Sequence, residues 1–257
     1  VLADLTAGSL ADAHARRELL PLADVEAAAL AAPPALDVLD LLAPAERVKI
    51  IAEIKRASPS RGTLAEIPDP AVLAAAYETG GASAISVLTE QRRFGGSLAD
   101  LEAVRDVVSL PVLRKDFISD PYQVFEARAA GADFVLLIVA ALDQPTIAEL
   151  YALALDLGMA ALVETHNADE VARAVDLGAG LIGVNARDLS TFELDRDLFG
   201  TLADQIPSGV IRVAESAVLT AEDVAHYRHA GADIVLVGEA LVTGDPIDTL
   251  ERFLDIS

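Results

Sequence analysis

Three lysines, Lys49, Lys55 and Lys115, stand among 19 basic residues that are otherwise arginine. An ammonium is a compact charge whose pKa can be tuned, whereas a guanidinium does not give up its proton. With arginine supplying the surface charge, the remaining lysines mark places where an ammonium is wanted. Lys55 and Lys115 close the apolar runs IIAEIK and PVLRK, while Lys49 opens a run and is expected to be solvated. Other polar groups end similar runs: Glu53, two residues before Lys55, Glu164 in ALVET, Asn185 in LIGVN, Glu215 and Ser216 in VAES, and Gly238 in VLVG. Ammonium and carboxylate groups gathered at one cavity can pass protons to and from a bound molecule. The same groups could instead form a salt-bridge ring with a structural role.

The elements that carry these residues follow a repeated pattern. Glycine closes a helix and an apolar strand follows in GGASAISVL (80–88), AGADFVLLIV (130–139), LGMAALVET (157–165), LGAGLIGVN (177–185) and AGADIVLVG (230–238). Amphipathic segments lie between them at 98–108, 121–130, 146–157, 168–177 and 221–230. Further strands are expected at 48–54, 111–113 and 210–214, so eight strands begin near 48, 84, 111, 133, 160, 181, 210 and 233. Continuous apolar strands separated by helices imply a parallel sheet buried on both faces. Eight such units predict an α/β fold of the (β/α)₈ barrel type over residues 48–257, in one domain. Residues 1–47 are expected to form an N-terminal helical extension, with helices over 2–20 and 22–31 and a break at Pro33-Pro34.

In such barrels the reacting groups sit at the C-terminal strand ends. Lys55, Lys115, Glu164 and Glu215 all come from odd-numbered strands, which share one interior layer, and Glu53 faces the same way as Lys55. Gly238 to Val242 predicts a short extra helix after the last strand, a common phosphate site together with the loop at Glu215-Ser216-Ala217. The loop from Lys55 to Pro70, with its KRASPSRGT segment, is expected to be a mobile lid carrying basic groups.

The remaining signals are mostly exclusions. A net charge of −22 argues against nucleic acid and anionic membranes, and any anion site must overcome that field locally. There is no cysteine, so neither disulfides nor thiolate metal sites arise, and no cofactor or metal is expected. The longest apolar stretch, 134–142, is far short of the ~20 residues of a membrane span, and the first residues, with Asp4 and Asp12, do not read as a signal peptide. A cytoplasmic protein, monomeric and acting on a small anionic molecule, is expected. Gly178, Gly180 and Gly183 match G-x-G-x-x-G but precede their strand, which excludes a dinucleotide site. His226 and His229 are expected on an outer helix surface and His14 in solvent. His166 could stand behind Glu164 or lie on the loop surface. Phe94 and Phe117 could line a pocket or simply pack.

The segments IAEIKRASPSRG (51–62), SVLTEQRRFGGS (86–97), PVLRKDF (111–117), LLIVAAL (136–142), ALVETH (161–166), GVNARDL (183–189), VAES (213–216) and VGEALV (237–242) resemble, in order, the indole-3-glycerol phosphate synthase family. The resemblance implies a lyase of tryptophan biosynthesis. Its substrate, 1-(2-carboxyphenylamino)-1-deoxyribulose 5-phosphate, closes to indole-3-glycerol phosphate with loss of CO₂ and water. It further implies Lys115 as general acid at the substrate ketone, Glu164 as acid/base for dehydration, and Lys55 as the lysine holding an anionic group. Glu53, Asn185, Glu215 and Ser216 are the implied supporting groups. Ser58, Phe94, Phe117, Leu137, Arg187, Leu189, Ala217, Gly238 and Glu239 are the implied substrate contacts. Burial and Lys55 are expected to lower the Lys115 pKa. Three positions depart from the pattern or bear on it. Ala217 replaces a common glycine and could crowd an amide facing the phosphate. Glu239 is expected to turn outward, and Thr165 stands where an aliphatic residue is usual. Two other readings fit the residues: a sugar-phosphate barrel forming an imine on Lys55 or Lys115, and a non-catalytic barrel whose charged ring is structural.

Overall fold

The computed structural model describes residues 1–59, 61–189 and 191–256. Eight strands close into a barrel, every neighbouring pair parallel: β1 Lys49–Ile54, β2 Ala84–Leu88, β3 Val112–Lys115, β4 Phe134–Ile138, β5 Ala160–Thr165, β6 Leu181–Asn185, β7 Ile211–Glu215 and β8 Ile234–Val237. The last strand pairs with the first through Ile51↔Leu236, which leaves no open edge. Helices α1 Leu2–Leu19, α2 Leu22–Ala31 and α3 Val38–Leu41 precede the barrel. Around it run α4 Pro70–Thr79, α5 Leu98–Arg105, α6 Pro121–Ala129, α7 Gln144–Asp156, α8 Ala168–Asp176, α9 Leu198–Leu202, α10 Ala221–His229, α11 Glu239–Thr243 and α12 Pro246–Leu254.

Local chemistry sets the helix ends. Asp69, Ser97, Asp120, Asp143, Asn167, Thr220 and Asp245 each accept a hydrogen bond from a first-turn amide of the helix they precede, each such cap contributing ~1 kcal/mol. At the other ends the chain turns through left-handed backbone, as at Gly131 (φ 90°) and Gly231 (φ 96°), which glycine adopts without a Cβ clash. That turn is why the glycine pattern in the sequence locates the strands.

Two apolar layers result. One lies between strands and helices and includes Val87, Val135, Leu137, Val163 and Val235. The other fills the barrel and includes Ile51, Leu113, Phe134, Leu136, Leu162, Val213 and Leu236. Leu137 is therefore corrected as a substrate contact. It is fully buried against the helices, because side chains alternate along a strand, and Leu136 and Ile138 are the residues of β4 that line the cavity.

The N-terminal helices close opposite ends of the barrel. Helix α3 is adjacent to the starts of the strands: Leu36 N donates to Asp133 at 2.8 Å, and Val38 and Leu42 enter the interior apolar cluster. Lys49 is not simply solvated. Its Nζ donates to the carbonyls of Leu41 and Ala43 at 2.8 and 2.6 Å, satisfying the end of α3. Helix α1 crosses the other end, where Leu5 lines the cavity and Ser9 donates to Asp116 at 2.7 Å. Among the described residues no helix is long and apolar enough to cross a membrane.

Candidate active site

The strand ends converge on one cavity. Its floor is a layer of Glu53 from β1, Lys115 from β3, Glu164 from β5 and Glu215 from β7. Lys115 Nζ lies 3.8 Å from Glu53 Oε2, 3.7 Å from Glu164 Oε2 and 3.5 Å from Glu215 Oε2. Glu53, rather than Lys55, completes this ring. Lys55 stands one step nearer the mouth and pairs with Glu53 Oε1 at 2.6 Å. Two glycines make room for the carboxylates. A Cβ on Gly183 would fall 2.1 Å from Glu215 Oε1, and one on Gly238 would fall 2.5 Å from Glu53 Oε1.

The wall above the floor carries Phe94 and Phe117, with ring centroids 6.0 Å apart, and Leu189. Asn185 Oδ1 accepts from Ser216 Oγ at 2.8 Å and from the Arg187 amide at 3.0 Å, which ties the ends of β6 and β7 together. Ser58, Arg187, Ala217, Gly238 and Glu239 complete the set of predicted residues around the cavity. Of all the predicted positions, Leu137 alone lies away from it. Leu5, Leu64 and Phe192 also line the cavity and were not anticipated. Leu5 comes from α1, and nothing in its local sequence shows that this helix reaches the barrel mouth.

The loop after β1 folds back as a two-stranded ribbon, Ala57–Ser58 against Gly62–Thr63. Arg56 at its base is fixed by Asp100 at 2.6 Å, and Arg61 reaches Glu239 at 2.7 Å. Glu239 therefore does not turn away from the cavity but is held by the loop. Thr165 donates to the Gly183 carbonyl at 2.8 Å, so its hydroxyl is satisfied within the sheet where an aliphatic residue would make no bond.

Charge in the ring departs from expectation at Lys115. Burial pulls its pKa down, but Glu215, Glu164 and Glu53 together outweigh burial and raise it, so the side chain is firmly an ammonium. Burial likewise works against ionisation of Glu53 and Glu164. Lys55 and Lys115 reverse this for Glu53, and Lys115, His166 and Asn185 reverse it for Glu164; both are held below the usual carboxylate range. Glu215 goes the other way, raised by burial and by Glu164 against the pull of Lys115. Neither of its oxygens accepts a well-aligned hydrogen bond. Two carboxyl groups with opposed shifts make an acid and a base side by side. His166 stands behind Glu164, with Nε2 3.3 Å from Glu164 Oε1 and Nδ1 3.1 Å from Glu170 Oε2. His226, by contrast, pairs with Asp197 and packs on Tyr227 at the outer helix.

After β7 the backbone is left-handed at Ser216 (φ 70°) and Ala217 (φ 56°). This conformation costs a residue with a Cβ about 1–2 kcal/mol. Ala217→Gly is accordingly expected to raise stability by roughly 0.5–1 kcal/mol, after allowing for the greater unfolded-state freedom of glycine. Urea denaturation measures it, and a fall in stability would show that the methyl group contributes more by packing than it costs in strain.

The family model described as indole-3-glycerol phosphate synthase matches residues 2–252. A protein named indole-3-glycerol phosphate synthase from Leifsonia xyli subsp. xyli is 73% identical over 253 residues, covering 98% of this chain and 97% of that one. One of the same name from Mycobacteroides abscessus is 59% identical, covering 96% and 90%. Among solved structures, the N-acetylmannosamine-6-phosphate 2-epimerase from Clostridium perfringens superposes with a TM-score of 0.63 at 17% identity, covering 86% of this chain and 97% of that one. At that identity the likeness is one of fold.

Proposed function

The chain belongs to the indole-3-glycerol phosphate synthase family, and from that premise we propose how its cavity closes the indole ring. The substrate is the anthranilate-derived ribulose phosphate. Its aromatic ring packs against Phe94 and Phe117, and its phosphate meets the amides around Ser216, Ala217 and Gly238. Its ring carboxylate faces Lys55. Held this way, the ring carbon bearing the carboxylate attacks the ketone, and Lys115 protonates the oxygen as charge builds on it. Loss of CO₂ restores the aromatic ring. Loss of the hydroxyl as water then makes the second ring aromatic, with Glu164 taking the proton from the adjacent methylene carbon.

One observation carries this reading. Lys115 Nζ lies within 4 Å of carboxylates from three other strands, at the floor of a cavity with aromatic residues in its wall. A cation so placed supplies a proton and is surrounded by groups that can return one. Inside a chain of net charge −22, Lys55, Lys115, Arg61 and Arg187 supply the local positive field that an anion needs. The proposed setting is the cytoplasm, with a monomer working on a free metabolite and residues 1–47 forming an extension of the catalytic barrel.

Purified protein given the anilino-ribulose phosphate is expected to generate indole absorbance and fluorescence together with CO₂. Absence of indole product would overturn the reading. Borohydride trapping of substrate on Lys55 or Lys115 would favour the imine chemistry of a sugar-phosphate barrel.

A further inference from the structure

Ring closure as proposed above consumes a proton. The substrate carboxylate is ionised near neutral pH. Two protons go to the ketone oxygen, one making the hydroxyl and one releasing it as water. One proton returns from the methylene carbon, and CO₂ carries none away. Every turnover therefore draws one proton from solvent, and the floor of the cavity is where it must arrive.

Lys115 has no direct route when substrate fills the cavity above it. Behind Glu164, however, lies a chain of close polar atoms. Glu164 turns Oε2 to Lys115 at 3.7 Å and Oε1 to His166 Nε2 at 3.3 Å, the latter an ion pair whose resting geometry is not that of an aligned hydrogen bond. His166 Nδ1 lies 3.1 Å from Glu170 Oε2 on α8, which also accepts from the His166 amide at 2.8 Å. The Asn167 side chain donates to the other Glu170 oxygen at 2.7 Å. The side chains of His166 and Glu170 are 11% and 13% exposed, against 2% for Glu164. The chain thus runs from the surface inward, on the side of Glu164 away from the cavity.

We propose that His166, held by Glu170, is the positioning and proton-supplying residue through which solvent recharges Glu164 and Lys115 in each turnover. The transfer balances. Lys115 gives the first proton to the ketone oxygen. Glu164, ionised at rest, takes the Nε2 proton of the imidazolium and gives it to the departing hydroxyl. It then takes the methylene proton and passes it to neutral Lys115, while solvent restores the imidazolium. Only protons move, and each residue ends as it began, with one proton drawn from solvent. The proposal rests on the ring-closure reading and adds the direction from which its proton comes. The charged groups facing the imidazole are Glu164 and Glu170, with Lys115 and Glu215 beyond Glu164. Burial opposes the cation, but the two carboxylates prevail and push the His166 pKa up to about 10, so the imidazole is charged through the neutral range.

The test is kinetic. His166→Asn is expected to lower kcat roughly tenfold, a scale seen for partners one step behind a reacting group. KM should change little, and kcat should recover as the concentration of a small buffer acid such as imidazolium rises. Glu170→Gln keeps the imidazole and its amide contact but lets its pKa fall. Its kcat should then decline with rising pH above about 7, where the wild type remains flat. An unchanged kcat in both variants would overturn the proposal, as would a loss that buffer acid does not relieve. Indole formation by the wild type in the same assay separates this failure from failure of the ring-closure reading itself.

Discussion

Lys115→Met is expected to reduce turnover by at least about 10³-fold while leaving substrate affinity within a few-fold of the wild type. The substitution removes the general acid, typically responsible for 10²–10⁴-fold, and with it the cation nearest the developing alkoxide. The anionic parts of the substrate meet Lys55 and the amides near Ser216 and Gly238, and these stay in place. A raised ammonium pKa does not hinder the step, because the alkoxide formed at the ketone is far more basic than the amine. The raised value instead ensures that the resting side chain is charged at any pH at which the protein is assayed. Steady-state kinetics together with equilibrium binding of substrate to the variant checks both halves of this expectation. Near-normal turnover would remove Lys115 from the acid's role.

The variant should still fold, and the reason lies in the rest of the ring. Glu53 keeps Lys55 at 2.6 Å, and Glu164 keeps His166 at 3.3 Å. Glu215, already pushed toward its protonated form by burial and by Glu164, needs no cation once it carries a proton. An unchanged far-UV circular dichroism spectrum would tie the kinetic loss to the missing ammonium.

What the sequence made legible follows from period and position. Strand-end lysines and carboxylates could be assigned to one cavity because glycines marked five of the eight strands, the other three fitted the same rhythm, and side chains alternate along each. Leu137, a contact implied by the resemblance alone, had no such check. In FVLLI every residue is apolar, so no polar alternation fixes which face is inward, and a shift of one residue moves the side chain to the other face. The sign of the Lys115 shift depends on three carboxylates from three other strands counted together, whereas the sequence-based expectation weighs only burial and the like charge of Lys55. The plug formed by Val38 and Leu42 was hidden because four helical residues carry too little periodicity to be read. Leu5 at the cavity and Ser9 on Asp116, 107 residues away, depend wholly on tertiary packing. The sequence leaves His166 open between a place behind Glu164 and the loop surface, and Glu170, which faces its other nitrogen, joins it only because α8 begins immediately after β5.

Arg114→Met is expected to cost about 3–5 kcal/mol of stability, the range for breaking a buried ion pair by removing one partner. At roughly 2–4 °C per kcal/mol for a chain of this size, the melting temperature should fall by about 10 °C. Arg114 alternates with Lys115 along β3, so its side chain leaves the barrel interior and is wholly buried beneath α1. Its guanidinium reaches Asp116 at 3.1 Å and Glu126 at 3.3 Å, and donates to Thr89 Oγ1 at 3.1 Å and the Gln123 carbonyl at 2.6 Å. Asp116 in turn accepts from Ser9, Thr89 and the Phe117 amide, and Arg16 of α1 closes on Glu126. Methionine fills much of the volume but leaves the buried Asp116 without its ion-pair partner. Burial alone would raise the Asp116 pKa; Arg114, the hydroxyl donors and the amide overcome it and hold the pKa low. A carboxyl depressed in the folded state stabilises above its unfolded pKa and loses that contribution as pH falls through the folded value. Without Arg114 the depression shrinks, so the variant has less to lose on acidification. The gap between wild type and variant in urea denaturation should therefore be wide at pH 7.5 and narrower at about pH 2.5, below the unfolded Asp pKa of about 3.9. A gap of equal size at both would assign the cost to packing and not to the stranded charge. Because Asp116 also fixes the Phe117 amide next to Lys115, the same variant should lose part of its turnover even where it remains folded.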